Sequence, residues 1–81
     1  MAKEVDRIIG NTLRVKRRKL GLTQVQVAHT LHTSQTFISK TESGARSLRV
    51  TEAVLYSLGV NMTPHQLYKE LKSALHDHGY A

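Results

Sequence analysis

Five histidines, a belt of cations and a stretch of amides and hydroxyls are the side chains of this chain that could do chemistry. The histidines suggest a metal first, and His76-Asp77-His78 is their densest group. Zinc needs three or four ligands converging on one point, whereas alternate helix positions point in different directions. No metal site and no cofactor are therefore predicted. Covalent catalysis is no better supplied. With no Cys, the nucleophile would be Ser or Thr, and neither a Gly-x-Ser-x-Gly elbow nor a phosphate-cradling loop occurs. No catalytic residue is assigned, and an enzyme is not expected. What remains is polar binding chemistry: Thr23 and Gln24, then Ser34, Gln35, Thr36, Ser39 and Lys40, then Ser43, Arg46, Ser47 and Arg49.

The cations are unevenly placed. The net charge is +6, yet residues 1–49 hold ten Lys and Arg against three Asp and Glu, while residues 50–81 hold two against three. Such asymmetry points to nucleic acid or an anionic membrane surface. Charge alone does not decide between partners, because a run such as Arg14–Lys19 is usually a solvated helix face. Six consecutive residues also span more than one helical turn and cannot all meet one partner. The four aromatics, Phe37, Tyr56, Tyr68 and Tyr80, are too few for the stacking platforms of single-strand binders. No apolar run approaches the ~20 residues of a membrane span. Residues 3–7 are charged, unlike a signal peptide, and the lack of Cys suits a reducing cytoplasm. With 40% hydrophobic residues, one globular domain is expected.

Five helices can be drawn between the turn signals, and no segment alternates as a strand does. The first runs from about Val5 to Lys19, with Val5, Ile8, Ile9, Leu13 and Leu20 near one face, and Gly21 ends it. Thr23 with Gln26 has the spacing of a capping box and opens a second helix that buries Val27, Ala28 and Leu31. Ser34 can cap a third, Gln35 to about Glu42, with Phe37, Ile38 and Thr41 inward, and Ser43-Gly44 breaks it. A fourth lies near Val50–Leu58, stopped by Gly59, with Arg49 where a Ser or Asp cap is usual. Thr63-Pro64-His65-Gln66 is a complete start signal for the fifth, which carries Leu67, Leu71, Ala74 and Leu75 on one side.

The second and third helices are short and joined by about three residues, so they cross steeply and the third projects outward. The residues from Gly21 to Gly44 closely resemble the helix-turn-helix of the lambda-repressor-like and Cro-like (XRE) family, and the likeness extends from about Leu13 to Leu67. Its points of contact are Leu13-Arg14, Arg17, Gly21-Leu22-Thr23-Gln24, Ala28, Ser34-Gln35, Ile38-Ser39-Lys40, Glu42 and Gly44, with Leu58-Gly59-Val60 beyond. Three positions depart from the family pattern. His32 stands where Gly is usual and has to hold a positive φ at a cost of roughly 1 kcal/mol. Thr33 replaces an aliphatic residue, and Thr41 a larger apolar one, leaving that corner slightly under-packed.

The resemblance implies an all-α, five-helix DNA-binding domain over residues 1–81, with its motif at about 23–42. In this family the third helix lies in the major groove. Ser34, Gln35, Thr36, Ser39 and Lys40 then become candidates for base edges, Gln35 pairing with adenine N6 and N7. Thr23 and Gln24 at the start of the second helix, and Ser43, Arg46, Ser47 and Arg49 after the third, become phosphate contacts. Arg17 with Glu42 resembles an internal ion pair. A homodimer on double-stranded DNA follows, using the C-terminal helix at about 64–77, with Tyr68, Leu71 and Leu75 at the contact. Eighty-one residues leave no room for a sensor domain, so no small-molecule effector is predicted. Two readings stand: a homodimeric repressor or controller protein with a near-palindromic operator, and a helix-turn-helix protein-interaction module, antitoxin-like or an accessory subunit, that binds DNA only non-specifically.

Overall fold

The computed structural model describes residues 2–80. The chain folds into α1 (Ala2–Lys19), α2 (Gln24–Thr30), α3 (Gln35–Ser43), α4 (Val50–Gly59) and α5 (Pro64–Asp77), an all-α architecture as expected. Helix α1 starts a turn earlier than its apolar periodicity suggests, with Glu4 in the first turn and four cations in the last. Both ends thus oppose the helix dipole.

Three helices begin as their sequence predicts. The Thr23 hydroxyl accepts from the Gln26 N–H at 3.1 Å, while the Gln26 amide oxygen accepts from the Thr23 N–H at 2.8 Å. Thr63 and Gln66 repeat this reciprocal pair at 3.1 and 2.9 Å, and Ser34 accepts from the Phe37 N–H at 3.1 Å. Helix α4 solves its poor start differently. Arg49 has no acceptor to offer, and the Glu52 carboxylate reaches back to the Arg49 N–H at 2.9 Å. Half of the reciprocal pair is enough, helped by an anion in the first turn.

All five helices stop alike. A residue with positive φ follows each, and the next N–H bonds the carbonyl five residues back, at 2.8 to 3.1 Å: Leu22 to Arg17, Thr33 to Ala28, Ala45 to Lys40, Met62 to Ser57, Tyr80 to Leu75. This is the Schellman arrangement. His32 takes the left-handed conformation at φ 53°, as its position demanded, and Asn61 does so at φ 57°. Asn61 corrects the expected stop of α4. Gly59 is that helix's last residue, and a Cβ there would stand 3.1 Å from Leu31, so its smallness serves packing against α2.

The core gathers Leu13, Val27, Ala28, Ile38, Tyr56, Val60, Met62 and Leu67, with Ile9, Leu31, Phe37, Leu48 and Leu71 packed around it. Leu20, expected on the inner face of α1, lies beyond the helix end and is exposed. Gly10 allows a close approach of two helices: a Cβ on it would meet the Glu42 carbonyl oxygen at 2.6 Å. Glycine inside a helix costs about 0.5–1 kcal/mol relative to Ala, and here that cost permits α1 to lie directly on the end of α3. Nearby, Thr41 is fully buried and its hydroxyl has no hydrogen-bond partner.

Two stability changes of opposite sign are expected from this crossing. Thr41→Val removes an unsatisfied buried hydroxyl at nearly constant volume and should raise the unfolding free energy by about 1–2 kcal/mol. Gly10→Ala forces a backbone clash and should lower it by about 1–3 kcal/mol. Urea denaturation checks both, and a Thr41→Val protein less stable than the parent would contradict the first.

Candidate nucleic-acid interface

Helices α2 and α3 are joined by residues 31–34, whose tight reversal is fixed by His32 and by the Ser34 cap. Along α3, Ile38, Thr41 and Glu42 are buried and Phe37 is half-buried. The opposite side carries Gln35, Ser39 and Ser43 at steps of four, flanked by Thr36 and Lys40, and all five are exposed, as is Ser34. Residues four apart share a helix face, so the outer side of α3 is one polar stripe ending in Ser43. No described residue covers it.

The stripe is held from behind by a buried carboxylate. Glu42 accepts from Arg17 Nε at 2.7 Å and Arg17 Nη2 at 2.8 Å, from the Tyr56 hydroxyl at 2.8 Å, and from Gln24 Nε2 at 3.1 Å. Arg17 uses its remaining terminal nitrogen on the Leu22 carbonyl at 2.8 Å. Arg17, Glu42 and Tyr56 are all buried. Four helices thus meet at one anion. Tyr56 is a member that sequence reasoning missed, because an isolated aromatic on α4 carries no sign that its hydroxyl is aimed at a carboxylate.

Gln24 carries the network outward. While its amide nitrogen holds Glu42, its amide oxygen accepts from Gln35 Nε2 at 3.4 Å. The residue placed as a phosphate contact is therefore also a bridge between the buried anion and the first residue of the outer stripe. Its neighbour Thr23 is exposed and uses its hydroxyl oxygen as the α2 cap.

The loop after α3 departs from expectation. Arg46 makes a two-pronged ion pair with Glu52, at 2.8 and 3.2 Å, and lies over the Phe37 ring at 4.4 Å. It closes the loop against α4 and does not stand free toward a phosphate. Ser47 donates to Asp6 of α1 at 2.7 Å, and Ser43 donates to the Lys40 carbonyl at 3.1 Å. Arg49 is exposed at the head of α4. Of the residues placed at a dimer contact, Tyr68 is exposed, whereas Leu71 and Leu75 are half-buried and Leu71 packs on the chain's own core. A row of exposed apolar side chains also stands on α4: Val50, Val54, Leu55 and Leu58.

A model of the helix-turn-helix domain family matches residues 8–61, a span that contains the α2–α3 turn and every member of the Glu42 network. The chain belongs to the helix-turn-helix family, XRE type. An XRE-family like protein from Pseudomonas syringae pv. tomato is similar to it with 30% identity over 86% of this chain and 85% of the other, at a TM-score of 0.76. The clp gene regulator ClgR from C. glutamicum shares its fold at a TM-score of 0.79, with 17% identity over 88% and 92% of the two chains. No match emerges among curated proteins. Helix-turn-helix domains lay their second helix in the major groove of DNA, so membership in this family places the chain in the DNA-binding class. Among the described residues no helix is long and apolar enough to cross a membrane.

Electrostatics within this helix-turn-helix protein follow from burial and from the donors around Glu42. Burial alone pushes the Glu42 carboxyl up, but hydrogen bonds from Arg17, Tyr56 and Gln24 outweigh it and hold the group below its ordinary value of 4.5. The hydrogen bond to Glu42 raises Arg17 further, and burial followed by the same carboxylate pushes the Tyr56 phenol far up. Glu42 therefore stays ionised and Tyr56 neutral at every ordinary pH.

A carboxyl depressed by folding adds stability above its unfolded value and loses it as pH falls through the folded one. Glu42→Gln should cost about 3–5 kcal/mol at pH 7, since it leaves Arg17 buried without its anion, and Tyr56→Phe about 1.5–3 kcal/mol. The gap between parent and Glu42→Gln should narrow as pH drops below 4.5. A gap unchanged between pH 7 and 3, measured by denaturant titration, would contradict the assignment.

Proposed function

We propose that this protein is a sequence-specific, homodimeric repressor or controller protein of the cytoplasm that reads a near-palindromic operator through the major groove. The observation that carries this reading is the uncovered outer stripe of α3. The major groove, ~12 Å wide, admits one helix. Within it Gln35 is the chief base reader: one amide proton goes to Gln24, which leaves the amide oxygen and the second proton for adenine N6 and N7. Thr36, Ser34 and Ser39 supply hydroxyls, and Lys40 a cation for guanine or a phosphate. Thr23 and Gln24 hold a phosphate at the start of α2, Gln24 with the amide proton that Glu42 does not use. Arg49 is the cation left for the backbone after the loop, because Arg46 is committed to Glu52. Arg17 and Glu42 shape the site without touching DNA.

One reading helix meets only a few base pairs, so specificity needs two, set half-sites ~10 bp apart by a two-fold axis. The dimer contact suits the face of α4 together with Tyr68 better than the inner side of α5. Val50 is 82% exposed, and Leu58 and Tyr68 are each 60% exposed. Beside them runs an apolar groove of about 350 Å³, lined by Val54, Pro64, Leu67 and Leu71 among others. Residues 50–81 carry nearly balanced charge, so two basic chains would meet there with little local repulsion. The same face favours a second reading, an interaction module for a different protein with only sequence-blind DNA binding.

Selection from a random duplex pool followed by salt titration separates these readings. A regulator should enrich a palindromic site and bind it at least ~10³-fold more tightly than random DNA. Gln35→Ala should lose about 1–3 kcal/mol on the selected site and little on random DNA, while Gln24→Ala weakens both. Enrichment of nothing would favour the interaction module. Leu58→Glu should turn the dimer into a monomer in sedimentation, and a monomeric parent would remove the dimer from the proposal.

A further inference from the structure

The outer stripe of α3 runs from Gln35 through Ser39 to Ser43, a helix rise of about 12 Å. At its far end lies a cleft of about 430 Å³ between the first turns of α1 and the loop after α3, lined by Lys3, Asp6, Arg7, Ser43, Arg46 and Ser47. The two elements are fixed against each other: a Cβ on Gly44, whose φ is 80°, would stand 2.8 Å from the backbone of Arg7. Lys3 and Arg7 are therefore held at the end of the reading stripe, and both are exposed.

We propose that this cleft is a phosphodiester-binding site for the second strand of the duplex, with Lys3 and Arg7 as its cations. The inference rests on α3 occupying the major groove. A helix lying in the groove is flanked by both sugar-phosphate backbones, and the elements packed at its two ends come nearest to them. Gln24 and the start of α2 face the backbone beside Gln35. The cleft faces the backbone beside Ser43. Of the cations there, Arg46 is neutralised by Glu52, which leaves the charge to α1. Asp6 opposes it: its carboxylate lines the cleft and holds the Ser47 hydroxyl at 2.7 Å. The site is thus a two-cation grip with a built-in anionic counterweight, and Ser47, whose proton is given to Asp6, is not a phosphate donor while that bond lasts.

The test uses the full chain and chloride salt titrations on the selected operator and on a random duplex. Lys3→Gln and Arg7→Gln should each make the negative slope of log affinity against log salt shallower by about 0.9 on both duplexes. At 50 mM salt each should weaken binding several-fold, with thermal stability unchanged. Asp6→Asn keeps an acceptor for Ser47 and should tighten binding on both. Lys72→Gln on α5 removes the same charge elsewhere and should leave the slope as in the parent. If the Lys3 and Arg7 variants match the parent while Gln35→Ala still loses the operator, the cleft is not a phosphate site although the reading helix stands. Equal loss in Lys72→Gln would show net charge at work and overturn the site. A parent that binds neither duplex removes the regulator reading itself, and this inference with it.

Discussion

One buried negative charge organises this small domain. Glu42 sits next to the C-terminus of α3, where the helix dipole disfavours an anion, and it is buried besides. Neither condition is tolerable without donors. The four donor atoms that answer come from α1, α2 and α4, so satisfying one carboxylate fixes how three helices stand around the fourth. A well-packed apolar pair could contribute as much stability or more. It could not impose direction, because apolar contact has none, whereas each hydrogen bond here works only within narrow limits of distance and angle. What the charge secures is therefore chiefly orientation.

That orientation matters for α3, which makes its binding surface from a stripe of short polar side chains. Its inner side is anchored at both ends. At the N-terminus the Ser34 cap fixes the first turn, and Gln24 draws the Gln35 amide into register. At the C-terminus Glu42 is tied to Arg17, Gly44 turns the chain left-handed against Arg7, and Arg46 clamps the loop over Phe37. A helix seated this way loses little freedom on docking, and preorganisation of that kind raises affinity by reducing the cost of ordering. The chain Tyr56–Glu42–Gln24–Gln35 further links core packing to the first amide of the exposed stripe.

Much of this was legible in the sequence. Hydroxyl caps, the Gln partners at N3, Pro64, and the demand for a positive φ at His32 are local signals with local consequences, and each element they predict is present. The Arg17–Glu42 pair was legible only through family resemblance, since twenty-five residues of separation carry no pattern of their own. Other features are tertiary. Gly10 reads as a weak point in a helix until α3 is found lying on it. Arg46 reads as one more surface cation, and its partner Glu52 becomes visible only when the loop is closed. The inner–outer assignment of α4 also escaped the sequence, because a helix apolar nearly all round has no period to read. Tyr56 and Ala53 turn inward, and Val50, Val54 and Leu58 turn outward.

The proposed pairing through the outward face of α4 fits the uneven division of charge along this chain. A domain of net charge +6 that pairs with itself works against its own repulsion, and a domain that binds DNA needs that same charge. Segregation resolves the conflict. The cations concentrate in α1 and in the loop between α3 and α4, while α4 and α5 together are close to neutral. The separation between paired copies then matters: beyond a Debye length of about 8 Å at physiological salt, the basic regions hardly sense each other. Phosphates between them would turn residual repulsion into attraction. On the proposed pairing, dimer formation and DNA binding would reinforce each other, each favoured when the other is already in place.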